Sequence, residues 1–305
     1  MQMPACRRIA VMVAVLVPLV AAQGCGTPKK KELTITERLA AARQKPAGPQ
    51  RAMSLLNVAK IQIAKGDLIG ARDTIEEARG LASGEGGIPI LLDVARSYVA
   101  VGDPRGARKV LTEVITIAKE LEDAGRKAKV MADAGALFGS EENGLADREQ
   151  ATSLLAQATE LAEDVEDRFR AEALAVVAMG YVSGGMPDEA AKMVEKLEAC
   201  LEALDEPRAK AEALATAASV YAKTGDADKS AALLRDAAAA AEGVDRAEGK
   251  AYALLAVANA EYAAGNTEAA QALLAKADVA AGKIGDADAR ETTMNTVRTA
   301  QARMK

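Results

Sequence analysis

Paired aspartates occur at two places in the sequence with the spacing at which a calcium-binding loop begins. They are Asp226-Ala227-Asp228 and Asp286-Ala287-Asp288. A calcium loop of this type also needs an acidic residue at its twelfth position, where a carboxylate binds the ion through both oxygens. Those positions hold Ala237 and Val297. We therefore interpret the aspartates as helix caps and predict no metal site.

The residue types needed for nucleophilic catalysis are missing or isolated. The chain has no histidine, which excludes serine–histidine and cysteine–histidine catalysis and histidine zinc sites. Gly84-Glu85-Gly86-Gly87 lacks the lysine and hydroxyl residue of a phosphate loop, and Cys200 has the helical context of a packing residue. Carboxylate pairs could in principle act as an acid and a base. Pairs such as Glu195 and Glu198, however, have the spacing of a solvated helix face, so a carboxylate-based hydrolase is the least favoured interpretation. We predict no enzyme and no cofactor.

The first 24 residues have the pattern of a secretory signal peptide. Arg7 and Arg8 precede an apolar run from Ile9 to Ala22. The run is shorter than the ~20 residues that a helix needs to cross a bilayer. We predict that residues 1–24 are a signal peptide, and that residues 25–50, which are rich in lysine and proline, form a tether.

The residues at the predicted cleavage site, Ala22-Gln23-Gly24-Cys25, resemble the lipobox of bacterial lipoproteins. The resemblance implies that Cys25 is lipidated and becomes the new N-terminus, so that the lipid anchors the protein in the cell envelope. Gly26 at the next position favours the outer membrane, with the protein facing the periplasm. The alternative is ordinary cleavage after Ala22, which leaves a soluble periplasmic protein.

The rest of the chain contains an internal repeat of about 40 residues. A glycine is followed five positions later by a small residue, and it is preceded by a leucine eleven positions before and an alanine seven positions before. The five glycines are Gly66, Gly102, Gly185, Gly225 and Gly265. A further copy lies between the second and third glycines, with Val130 and Ala134 at the leucine and alanine positions and a longer turn. Steps of four and three residues indicate helices, so each unit is a helix, a turn and a helix.

The composition indicates that these helices pack closely. The chain has five tyrosines, two phenylalanines and no tryptophan, so its core must be built from small and aliphatic side chains.

The pattern Leu91, Ala95, Tyr98, Gly102-Asp103, Ala107 resembles the tetratricopeptide repeat, usually abbreviated TPR. The resemblance implies a right-handed all-α solenoid of about six hairpins over residues 51–303. Residues 288–303 would then form a C-terminal capping helix, because the end of a solenoid must face water.

The same resemblance implies a function in binding other proteins. In that family the first helix of each hairpin lines a groove that holds a partner protein or peptide. The positions that correspond to the groove are Met53, Leu56, Lys60, Ile63, Leu92, Arg96, Val99, Tyr252, Leu255, Asn259 and Tyr262. Lys60 and Arg96 stand at equivalent positions among aliphatic residues, which favours an acidic amphipathic partner.

The sequence therefore predicts an exported, membrane-anchored scaffold or adaptor that mediates protein–protein interactions in the cell envelope. The alternative is a structural or assembly subunit of an envelope complex that acts through oligomerisation. The net charge of −5 and the scarcity of aromatic residues argue against nucleic-acid binding.

Overall fold

The computed structural model describes residues 33–201 and 204–304, without the side chains of Asp167 and Arg168. In these residues the chain forms α-helices and no strand. The signal peptide and the lipidation site at Cys25 lie outside the described residues. The helices are α1 (Ile35–Arg43), α2 (Pro49–Ala64), α3 (Leu68–Arg79), α4 (Gly84–Ala100), α5 (Pro104–Lys119), α6 (Ala124–Gly139), α7 (Arg148–Glu163), α8 (Asp167–Ser183), α9 (Pro187–Cys200), α10 (Pro207–Thr224), α11 (Ala227–Glu242), α12 (Ala247–Ala263), α13 (Thr267–Gly282) and α14 (Ala287–Arg303).

Helices α2 to α13 form six stacked hairpins. Within each hairpin the two helices pack against each other, and the first helix also packs against the first helix of the next hairpin. The backbones of the second helices lie farther apart, and these helices contact one another through side chains, for example through the ion pair of Arg79 in α3 and Glu113 in α5 at 3.0 Å. The first helices α2, α4, α6, α8, α10 and α12 thus form one continuous face, which we call the inner face. Helix α14 packs against α12 and α13 and closes the stack, so the predicted helical-repeat solenoid with a capping helix is confirmed.

The turns explain where the helices end and begin. Each of the five turn glycines has a positive φ, for example 73° at Gly102 and 92° at Gly225, a conformation that glycine adopts without strain. Asp103 then caps the second helix by accepting a hydrogen bond from the N–H of Gly106 at 2.9 Å. Asp226 makes the equivalent bond to Lys229 at 3.1 Å. The interpretation of these turn aspartates as caps is confirmed.

In the sequence, Asp245-Arg246-Ala247-Glu248 has the form of a capping box, and Asn266 follows its turn glycine as a cap. The structure differs from the prediction at both places. Arg246, rather than Asp245, precedes α12, and no side chain caps that helix, so the capping box predicted there is wrong. The capping box that does form joins Thr34 and Glu37 at the start of α1. Asn266 holds the expected position before α13, but its amide donates to the carboxylate of Glu261 at 2.7 Å.

The third hairpin has a different register from the predicted one. A Cβ atom on Gly135 would lie 2.9 Å from Cγ of Leu155, so Gly135 and not Ala134 faces the second helix at the crossing. Phe138 accordingly takes the position of Tyr98. The backbone N–H of Asp147 donates to the carbonyl of Phe138 at 2.7 Å, as Asp103 does to Tyr98 at 2.8 Å. Because this turn contains extra residues, the spacing in the sequence did not reveal that the register of α6 is shifted by one residue.

The N-terminal helix α1 belongs to the packed structure. It contacts α2, and Ala42 is buried between the helices. Arg43 also pairs with Glu77 of α3 at 2.6 Å. The segment predicted as a tether thus contains a helix that lies on the solenoid from residue 35, and the part before residue 33 is outside the described residues.

The third and fourth hairpins approach each other unusually closely. A Cβ atom on Gly139, the last residue of α6, would lie 2.8 Å from the Cα atom of Gly184. One on Gly180 in α8 would lie 3.1 Å from the carbonyl oxygen of Ala132. The lack of side chains at these glycines lets α6 and α8 pack almost backbone to backbone. In the described part of the chain, no helix has the length and apolarity needed to cross a membrane.

Candidate functional site

A cavity of about 590 Å³ opens on the inner face in the middle of the solenoid. It extends from α4 across α6 and α8 to α10, and we call it the inner pocket. The apolar part of its lining consists mostly of small side chains. The apolar lining residues, half of which are alanines, are Ala136, Leu137, Phe169, Ala171, Ala175, Val176, Met179, Leu204, Ala209 and Ala213.

A difference between the repeats explains the space. Ten residues before the turn glycine, the first, second and sixth hairpins carry leucine, and these side chains fill the inner face. They are Leu56, Leu92 and Leu255, each at most 8% exposed. The fourth and fifth hairpins carry Ala175 and Ala215 at the same position. The smaller side chain of Ala175 leaves room beside α8, and Ala175 lines the pocket.

The rim of the inner pocket is charged and predominantly acidic. Among the residues that the structure describes, the charged lining residues are Asp133, Glu172, Glu206 and Glu212 together with one cation, Arg96. Glu172 pairs with Lys129, and Glu212 pairs with Arg208 at 2.8 Å.

Arg96 is engaged by a neighbour on its own helix. Its Nη1 atom donates to Oδ1 of Asp93 at 2.9 Å. Asp133, from the next first helix, makes no hydrogen bond and no ion pair within the described residues. Burial raises the pKa of the Asp133 carboxyl, and the positive charge of Arg96 opposes this effect as the smaller influence. The free protein therefore holds a partly desolvated carboxylate inside an apolar pocket.

Replacing Asp133 with asparagine is expected to stabilise the protein at neutral pH. Because the pKa of this carboxyl is raised in the folded state, its ionised form disfavours folding above that pKa. Below about pH 3.9, the ordinary value for aspartate, both folded and unfolded chains carry the protonated form and the difference vanishes. Urea unfolding of the two proteins at pH 7 and at pH 3 measures this. The free energy of unfolding of Asp133→Asn should exceed that of the natural protein at pH 7, and the difference should be small at pH 3.

A matched control removes one carboxylate charge elsewhere. Asp73 is exposed on the second helix of the first hairpin. Asp73→Asn should leave the free energy of unfolding nearly unchanged at both pH values. An equal stabilisation by both substitutions would show that the effect of Asp133 comes from the overall charge of the protein and not from its burial.

The structure separates the residues that the sequence predicted for the groove. Arg96 is the one that lines the inner pocket. Leu56, Leu92 and Leu255 are buried between helices, whereas Lys60 and Asn259 are exposed. Met53 and Tyr262 are also exposed, at 56% and 43%, and Ile63, Val99 and Tyr252 are partly buried. Whether the exposed members bind a partner stays a prediction.

Two sets of these residues lie far apart along the solenoid. Those on α2 and α4 are neighbours, because these helices pack together, but α12 is separated from α4 by α6, α8 and α10. The inner pocket lies between the two sets. The signal for it in the sequence is the change from leucine to alanine at equivalent positions of the middle repeats.

No protein-family model and no curated protein matches the sequence. Among solved structures, a tetratricopeptide repeat protein from Parabacteroides merdae is similar, with 17% identity over 87% of this chain and 91% of that chain and a TM-score of 0.36. A Rap protein complexed with competence and sporulation factor has 14% identity over 88% and 80% of the two chains and a TM-score of 0.38. Ton1535 from Thermococcus onnurineus has 14% identity over 83% and 92% and a TM-score of 0.45.

The class of protein rests on the hairpins themselves. Stacked helix-turn-helix units with small residues at each crossing define an all-α helical-repeat solenoid. The inner pocket gives this solenoid a defined recess on the face formed by its first helices.

Proposed function

We propose that the protein is an exported, lipid-anchored scaffold that holds a segment of a partner protein in the inner pocket. The observation that carries the proposal is the recess itself. The first, second and sixth hairpins close the inner face with leucine, and the middle of the solenoid leaves about 590 Å³ open. A recess of this size that is mainly apolar, with a few polar groups at its rim, is typical of a binding site.

Binding in this pocket would be non-covalent and largely preorganised. Most of the lining side chains lie on helices that pack against neighbouring helices on both sides, so little order has to be gained when a partner binds. An apolar side chain that fills the recess gains about 1.5–3 kcal/mol from its burial. Several such side chains on one helix or extended segment are enough for specific binding.

The envelope location is supported by the sequence of the N-terminus. The apolar run up to Ala22 and the Gly24-Cys25 pair favour lipidation at Cys25. The proposed location is the outer membrane, with the protein facing the periplasm. A soluble periplasmic protein is the alternative. The lipid would place the solenoid close to the membrane, and the inner pocket would then hold the partner there.

Filling the pocket with leucine tests the proposed function. The Ala175→Leu/Ala213→Leu double variant adds two larger side chains to the pocket lining. At position 175, leucine is the residue that three other hairpins carry ten residues before the turn glycine. We expect it to fold and to reduce capture of the partner by more than about tenfold, or ~1.4 kcal/mol. Affinity capture from the cell envelope with quantitative mass spectrometry measures this.

The matched control places the same two substitutions on the outside of the same hairpins. Ala199 in α9 and Ala239 in α11 are exposed. Ala199→Leu/Ala239→Leu should capture the partner like the natural protein. Circular dichroism and thermal unfolding establish that both double variants fold. Unchanged capture by the pocket variant would contradict the proposal, and self-association in sedimentation would then favour the assembly subunit.

A further inference from the structure

The lining of the inner pocket is mainly negative, whereas Lys60 and Arg96 suggested a positively charged groove. Glu172 and Glu212 occupy equivalent positions on α8 and α10, thirteen residues before the turn glycines. They lie beside the apolar lining on neighbouring first helices. Each is paired with a cation beyond the pocket lining, Lys129 or Arg208, so these two carboxylates are partly neutralised in the free protein.

Asp133 differs from these two carboxylates. It lies on α6 in the same pocket, its carboxylate has no ion pair in the described part of the chain, and it is half-shielded from water. Arg96, the one cation among the described lining residues, already donates to Asp93 at 2.9 Å. The pocket thus contains an acidic group that makes no ion pair with the described residues, next to alanines that leave space for a long side chain.

Resting on the proposed function, we infer that the partner segment of the inner pocket is amphipathic and basic, and that a lysine or arginine side chain of the partner pairs with Asp133. The aliphatic stem of such a side chain packs on apolar surface while its charged end reaches a carboxylate. Met179 and Ala175 provide that surface in the pocket. Both halves of a basic side chain therefore find complementary groups.

An acidic segment fits this site poorly. It would bring its carboxylates toward Asp133, Glu172 and Glu212, and like charges facing each other across an interface oppose binding. Arg96 would have to leave Asp93 to compensate. The charge of the pocket thus selects the basic partner over the acidic one.

The test uses a defined probe, a displayed library of random 16-residue peptides selected on the full chain. Peptides are counted as pocket binders when the Ala175→Leu/Ala213→Leu variant no longer retains them. We expect the pocket binders to be enriched in lysine and arginine next to aliphatic residues. For individual synthetic peptides, Asp133→Asn should weaken binding by about tenfold, and exchanging the basic residue of the peptide for glutamine should have the same effect.

Asp73→Asn, which removes a charge from the outer side, is the control and should leave peptide binding unchanged. In a double-mutant cycle, the losses from Asp133→Asn and from the peptide glutamine should not add, because they remove the same contact. Asp133→Asn should keep the fold, as thermal unfolding will show, so weaker binding cannot come from unfolding.

The outcomes separate the inference from the proposed function. Pocket binders without basic residues, or with binding that is insensitive to Asp133→Asn, would overturn the inference and leave the pocket as the binding surface. A selection in which no peptide depends on the pocket would overturn both.

Discussion

The Gly139→Ala variant is expected to lose roughly 1–3 kcal/mol of unfolding free energy, the usual cost of forcing extra atoms into a packed core. The added methyl group would lie 2.8 Å from the Cα atom of Gly184 and 2.9 Å from the Cβ atom of Ala151. Neither neighbour has a flexible side chain that could move aside. Helix α6 would have to separate from α8, which loosens the junction of the third and fourth hairpins. Urea unfolding of the purified protein measures the loss.

Gly86→Ala is the control for the intrinsic effect of the substitution. Gly86 lies in the first turn of α4, is exposed, and would have no atom within 4 Å of an added Cβ. There alanine should be neutral or stabilise the protein by up to ~1 kcal/mol, because glycine is the poorer helix former. Equal effects of the two substitutions would contradict the close approach of α6 and α8.

The Cys25→Ser variant is expected to disappear from the membrane fraction almost completely. If Cys25 carries the lipid, serine at this position has no thiol to which the lipid can be attached, and the chain loses its anchor. Detergent phase separation of envelope fractions measures the change, and mass spectrometry of the natural protein should show the lipid on Cys25.

Cys6→Ser provides the matched control, because Cys6 lies in the segment that cleavage before Cys25 removes. It should fractionate with the membrane like the natural protein. A natural protein that carries no lipid would show that the lipobox interpretation is wrong and would favour the soluble periplasmic form.

The hairpins were predictable from sequence because their signals are local. A glycine with positive φ and a capping aspartate, such as Gly102 and Asp103, define a turn within a few residues. The alanine seven residues before each glycine marks the crossing, and Ala95 and Ala218 are both fully buried there. In the third hairpin the predicted register is wrong by one residue, because that turn contains extra residues and no glycine with a positive φ.

The inner pocket was not predicted, because it depends on what is missing from the inner face. Leu92 marks a filled position, but the space beside Ala175 follows only from comparing equivalent positions in stacked hairpins. The charge of the pocket could not be predicted from the sequence either. The sequence shows Arg96 at a groove position, whereas its pairing with Asp93 and its proximity to Asp133 depend on side-chain placement and helix stacking.

The most direct test of the central claim is photo-crosslinking from two positions of the same hairpin in cells that produce the protein. A photoreactive amino acid at position 179 lies in the inner pocket, and one at position 195 lies exposed on the outer helix α9. If the inner pocket holds the partner, position 179 should give a discrete crosslinked product that is absent from position 195 and lost in the Ala175→Leu/Ala213→Leu background. A product from position 195 with none from position 179 would contradict the account and place binding on the outer surface.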